Sequence, residues 1–138
     1  MAVAVAVIAV SAMPEPPAVG SRTVAGAERW SEDAVAADMR LGKPAFVYFT
    51  ADWCLTCKAN EVAAIDRKEV RDAFKTAEVR VLAGDWTNGD PTITRFLEDR
   101  GRAGVPLYFW YEPGKEPEEL PQVLTPGMLI DRARRPRR

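Results

Sequence analysis

The sequence predicts an α/β fold in which a central mixed sheet is flanked by helices, and three observations carry that expectation. Ala45-Phe46-Val47-Tyr48-Phe49-Thr50 is apolar on both faces and rich in β-branched and aromatic residues, as a strand buried from both sides must be. Short runs of this kind alternate with helical patterns through the middle of the chain, an order that lays strands parallel with helices across them. Glu112-Pro113-Gly114-Lys115 supplies a hairpin turn near the end, so the last pairing is antiparallel and the sheet is mixed.

Ahead of this pattern, Met1 to Met13 is almost wholly Ala, Val and Ile and carries no charged side chain. As a helix it would reach about 20 Å, short of the roughly 30 Å hydrocarbon layer of a bilayer. It also lacks the basic start of a signal peptide, although Val10-Ser11-Ala12 loosely resembles a cleavage site. It reads as the end of a membrane helix, the alternatives being a misplaced start or a weak export signal. Residues 14–21, proline-rich, form a linker. The folded domain is expected over residues 22–134, with the basic residues 135–138 a solvated, disordered tail.

Within the domain, Thr23 to Ala25 is expected as a short edge strand. Ser31 caps a helix running to Leu41, with Glu32 and Asp33 in its first turn and Gly42 as its stop. Trp30, Val35 and Met39 fall on one side of it and belong to the core. The strand Ala45 to Thr50 leads into the cysteines and a helix through Ile65. Asp66-Arg67-Lys68-Glu69 has capping-box spacing and opens a helix over Val70 to Thr76. A strand from Val79 to Trp86 follows, then the turn and cap Asn88-Gly89-Asp90-Pro91 and a helix over Thr92 to Asp99. After the break at Gly101 to Gly104, Val105 to Tyr111 is a strand and Gln122 to Leu124 its returning partner. Thr125-Pro126 caps a last helix, Gly127 to Arg134.

Composition narrows the chemistry. At 138 residues the chain forms one domain with a single core. With 19 basic against 20 acidic residues, nothing points to nucleic acid as a partner. There is no histidine, which removes the commonest general base and the commonest metal ligand. Sulfur is left as the leading candidate for chemistry.

The 2 cysteines, Cys54 and Cys57, stand at i and i+3 where a helix begins. Unpaired backbone N–H groups and the positive end of the helix dipole favour an anion there, so a thiolate is stabilised at Cys54 more than at Cys57, a turn deeper. A bond between them would close so short a loop that it is worth only about 2 kcal/mol as a staple, which favours a redox dithiol. Zinc would need further ligands, which here only carboxylates or a second chain could supply. Cu(I) binding by the two thiolates is the competing reading, from a different class. No cofactor is expected.

The stretch Tyr48-Phe49-Thr50-Ala51-Asp52-Trp53-Cys54-Leu55-Thr56-Cys57-Lys58 resembles the thioredoxin superfamily, and within it the C-terminal periplasmic domain of the DsbD-type (ScsB-like) thiol:disulfide interchange proteins. Glu61, Asp85-Trp86-Thr87, Asp90-Pro91 and Gly104-Val105-Pro106-Leu107 extend the likeness over residues 30–131. The resemblance implies a thioredoxin-like fold, Cys54 as attacking and Cys57 as resolving thiol, and a cis Val105-Pro106 peptide whose backbone at Val105 pairs with a partner chain. It implies a monomeric protein-disulfide reductase, periplasmic and tethered to the inner membrane. Electrons would pass from a membrane-embedded domain to protein disulfide partners. A free-standing, membrane-tethered thioredoxin-like protein is the other possibility.

One departure concerns the proton. Six residues before the first cysteine, thioredoxins and many of the DsbD-type domains carry a buried aspartate, whereas this chain has Tyr48. Glu61 is the candidate replacement, because Cys54, Cys57 and Glu61 fall at i, i+3 and i+7 on one helix face. Trp53, next to the attacking sulfur, is expected at the surface against partners, with plain packing the alternative. Lys58 would favour the thiolate or be solvated, and Asp85 and Trp86 would support the site.

Overall fold

The computed structural model describes residues 23–137, so the apolar segment 1–13 and the linker 14–21 lie outside the described residues. In chain order the elements are β1 (Glu28–Arg29), α1 (Glu32–Arg40), β2 (Ala45–Thr50), α2 (Leu55–Asn60) continuing as a π-helical turn (Glu61–Ile65), α3 (Lys68–Thr76), β3 (Arg80–Asp85), α4 (Pro91–Asp99), β4 (Leu107–Tyr111), β5 (Glu118–Glu119) and α5 (Pro126–Ala133). The strands form one sheet in the order β1-β3-β2-β4-β5. β3 runs parallel to β1 and β2, and β4 runs antiparallel to β2 and β5, so the sheet is mixed as expected.

β2 is central because every one of its side chains finds cover. Alternation sends Phe46 and Tyr48 to one face, where they meet Tyr108 and Trp110 of β4, Ala64 and Ile65 of the π turn, Phe74 of α3 and Leu129 of α5. Val47 and Phe49 go to the other face, against Trp30, Leu82, Phe96 and Leu97. Thr50 shares the side of Phe46 and Tyr48, which aims its hydroxyl at the helix carrying the cysteines. Gly84 is opposite Phe49 in the β2–β3 register, and a Cβ there would come within 2.4 Å of the Phe49 ring, so only glycine lets that ring lie across the neighbouring strand.

The caps behave as their residue types dictate. Ser31 accepts from Ala34 N–H, Asp90 from Thr92 and Ile93 N–H, and Thr125 from Met128 N–H. Pro91 and Pro126 occupy first-turn positions that need no donor.

Five expectations are corrected. The edge strand is Glu28–Arg29 rather than Thr23 to Ala25, because the chain turns at Val24, whose carbonyl accepts from Ala27 N–H, with Gly26 at φ 84°. The helix from Leu55 is not uniform, since it widens to a π turn at Glu61. Asp66 caps nothing: its own N–H bonds back to Glu61 O at 2.7 Å, closing the π turn, and its carboxylate pairs with Arg71. The strand returning to β4 is Glu118–Glu119, not Gln122 to Leu124. Finally, the basic end is held: Arg135 pairs with Glu118 and Arg137 with Glu112, whose other oxygen accepts from Trp110 Nε1. Among the described residues no helix is long and apolar enough to cross a membrane.

Candidate active site

β2 ends at Thr50, and after four intervening residues α2 begins at Leu55. Cys54 and Cys57 are bonded to each other there, with Cα atoms 5.3 Å apart. Cys54 is the N-cap of α2, and its Sγ accepts from the backbone N–H of Cys57 at 3.2 Å. That donor and the dipole behind it would hold negative charge on Cys54 once the bond is reduced. The two cysteines differ in depth: Cys54 is 8% exposed and Cys57 1%.

The loop before Cys54 is tied to the end of β3 by one threonine. Thr87 Oγ1 accepts from Asp52 N–H at 3.0 Å, its hydroxyl donates to Asp85, and its carbonyl accepts from Trp53 Nε1 at 3.1 Å. Trp53 keeps its ring 59% exposed beside the dithiol while leaning on Trp86, centroids 6.0 Å apart. Trp86, anchored by Nε1 to Thr94 Oγ1, also lies against Gly104, where a Cβ would come within 3.3 Å of its ring. The cysteine loop and the 104–106 loop therefore share one support. The Val105-Pro106 peptide is cis, and Val105 O lies 4.0 Å from Cys54 Sγ.

Beneath the disulfide, Glu61 is 5% exposed. Its Oε1 accepts from Thr50 Oγ1 at 3.4 Å and from Lys58 Nζ at 3.4 Å, whereas Oε2, also buried, faces the Lys58 ammonium at 3.1 Å but accepts no hydrogen bond. Burial pushes the Glu61 carboxyl above its ordinary value, with Lys58 and Thr50 pulling the other way. Lys58 also reaches Asp52, 3.7 Å away, so its partly exposed ammonium is engaged with both carboxylates.

Tyr48, at the position of the superfamily's aspartate, serves another purpose. Fully buried, its hydroxyl accepts from Val24 N–H at 2.8 Å and ties the incoming chain to the core. Its strand neighbour Tyr108, with a hydroxyl pushed up to about 12 by burial, accepts from Asn60 Nδ2 at 2.9 Å.

Asn60 is a residue that sequence reasoning missed. It is buried on α2 and also donates to Gln122 O at 2.6 Å and accepts from Leu124 N–H at 3.2 Å, so the backbone expected to pair with β4 pairs with this carboxamide instead. Gln122 Nε2 in turn reaches Pro106 O at 3.5 Å. Asn60 thereby links the dithiol helix to the segment that contacts the cis-proline loop. Its signal was present in the sequence: a polar residue three after Cys57, on the buried stripe. Replacing Asn60 with Ala strands Leu124 N–H and the Tyr108 hydroxyl in the interior, and is expected to lower unfolding free energy by about 2–4 kcal/mol, measured by urea denaturation.

Among the described residues no group of three or more Cys, Asp or Glu side chains is placed to hold a metal ion. What the arrangement offers is a disulfide with Cys54 the less deeply buried partner, a buried carboxylate on the residue one helical turn after Cys57, and an exposed indole beside Cys54.

Comparison with known proteins agrees with this geometry. The thioredoxin-like family model matches residues 26–113. A thiol:disulfide interchange protein, DsbD 1, from Pseudomonas aeruginosa is 31% identical over 86 residues, which cover 59% of this chain and 14% of that protein. DsbD from Vibrio cholerae is 28% identical over 101 residues, 72% of this chain and 16% of that protein. The chain thus spans a small fraction of the length of both relatives. Among solved structures, the oxidised C-terminal domain of Neisseria meningitidis DsbD superposes with a TM-score of 0.59 at 25% identity, covering 76% of this chain and 95% of that one.

Proposed function

The chain belongs to the thioredoxin-like family, and from that premise we propose that it is a thiol:disulfide oxidoreductase working in the reductase direction. The observation that carries the proposal is the bonded pair at the tip of α2, in which Cys54 is the less deeply buried residue, beside the carbonyl of Val105. In the reduced state Cys54 thiolate attacks a partner's disulfide; a mixed disulfide forms and one partner sulfur leaves as thiolate. Cys57 then gives its proton to Glu61 and attacks Cys54. The intermolecular bond breaks, the partner leaves fully reduced, and the Cys54–Cys57 bond remains.

Trp53, Val105 and Pro106 form the docking edge in this reading. An extended partner segment pairs with the Val105 backbone, Pro106 shapes that edge, and Trp53 packs on the partner from the opposite rim. Likeness to the DsbD proteins supports protein dithiol and disulfide partners and a periplasmic setting. We place the electron donor in a membrane-embedded dithiol domain and treat the active form as a monomer tethered to the inner membrane.

The test is the reduction potential measured against glutathione buffers, together with reduction of insulin. The value is expected nearer the thioredoxin figure of about −270 mV than the DsbA figure of about −120 mV. A potential as oxidising as the latter would sink the reductase assignment.

A further inference from the structure

We propose that Lys58 is a positioning residue for Glu61: its ammonium fixes the carboxylate on the cysteine side of α2 and keeps it charged, ready to take the proton of Cys57. The inference rests on the role given to Glu61 above.

The geometry is specific. Lys58 and Glu61 are one turn apart on the same helix, with Nζ 3.1 Å from Oε2, and Cys57 stands at i−4 from Glu61 on that face. The same ammonium lies 3.7 Å from Asp52 Oδ1 in the loop before Cys54, so one lysine bridges a carboxylate of the cysteine loop and one of the helix. Oε1 is already committed to Thr50 and Lys58, whereas Oε2 is buried and accepts no hydrogen bond. Oε2, held beside the ammonium by charge but without a well-formed hydrogen bond, is the oxygen where a proton can land.

The other groups facing Glu61 do not supply this. Thr50 on β2 donates only a neutral hydroxyl at 3.4 Å. Tyr48 on β2 and Tyr108 on β4 are phenols whose burial keeps them protonated at working pH. Asp52 repels the carboxylate, and Asp66 at the end of the π turn is paired with Arg71. Without Lys58 the buried carboxylate would face repulsion and desolvation against a single neutral donor. It would then be protonated over a wider range of pH and unable to accept.

In the resolving step the Cys57 thiol loses its proton to Glu61 Oε2. The Cys57 sulfur bonds to Cys54 Sγ, the Cys54–partner bond breaks, and the partner sulfur departs with the electron pair. The partner disulfide gains two electrons and the domain's dithiol loses them.

The test compares the full chain with K58M, K58Q and K58R. Two quantities are read: the Glu61 carboxyl titration by carbon NMR in the oxidised protein, and the pH profile of the resolving step in single turnovers with glutathione disulfide. In K58M and K58Q the Glu61 titration is expected to move up, and with it the acid limb of the profile, so that the rate at the foot of that limb falls about tenfold while K58R restores it. A lysine that only stabilises the fold would move neither. If the titration stays where it is, Lys58 does not act on Glu61 and the inference falls, leaving the role of Glu61 standing. If the titration moves and the limb does not, Glu61 is not the acceptor and both fall together.

Discussion

A Cys57→Ser protein, reduced and mixed with a disulfide-bearing partner, is expected to accumulate a covalent adduct through Cys54, visible on non-reducing gels and as a summed mass. Cys54→Ser is expected to trap nothing and to lose turnover down to the uncatalysed level. The asymmetry follows from where the sulfurs sit. Cys54 is the less deeply buried and has the Cys57 N–H donor at 3.2 Å, so the first attack survives when Cys57 is replaced. Release requires a second sulfur from within, and a serine hydroxyl has neither the nucleophilicity nor the leaving-group chemistry to break the intermolecular bond. Cys57 is 1% exposed, so solvent thiols do not easily take its place and the adduct persists. Should Cys57→Ser trap no partner while Cys54→Ser does, the attacking and resolving roles are exchanged. The captured partner, identified by mass spectrometry, would also test the direction of electron flow.

Much of this was legible in the sequence wherever a local rule coincided with the tertiary answer. The run Ala45–Thr50 is apolar on both faces because helices cover both faces, and Ser31, Asp90-Pro91 and Thr125-Pro126 cap helices that begin where these residues stand. Failures came where a nonlocal partner decided the matter. Gln122 to Leu124 looks like a strand by side chain, yet Asn60 takes its backbone hydrogen bonds, while the acidic pair Glu118–Glu119, poor in strand propensity, lies where a short turn from β4 returns the chain. The apparent capping box failed because Asp66 N–H was already used to close the π turn. At the site the cysteines, Glu61, Trp53 and Val105-Pro106 were singled out by spacing and resemblance. Thr87 was picked out only as part of the resemblance and Gln122 only as a strand residue, because their contribution lies in contacts between loops distant in sequence.

Replacing Glu61 by Gln keeps volume and hydrogen-bonding capacity while removing the proton acceptor, and is expected to slow the resolving step by about 10²-fold. The first attack by Cys54 should change much less, so E61Q would behave as a partial version of Cys57→Ser, with a mixed disulfide that decays slowly instead of persisting. Stopped-flow measurement of adduct formation and decay separates the two steps. A second consequence tests the buried carboxylate in the oxidised protein, where no thiol titrates. Burial raises the folded-state value of Glu61 above that of the unfolded chain, so the native state holds this proton more tightly. The resulting stability is fully present below the unfolded-state value and is lost as pH rises through the folded-state value. Relative to E61Q, the wild-type protein should therefore gain stability as pH falls from neutral into the acid range, measured as a growing difference in urea midpoint. A difference that does not vary with pH would mean that Glu61 titrates as a solvated carboxylate does, and the proton of Cys57 would have to leave by another route.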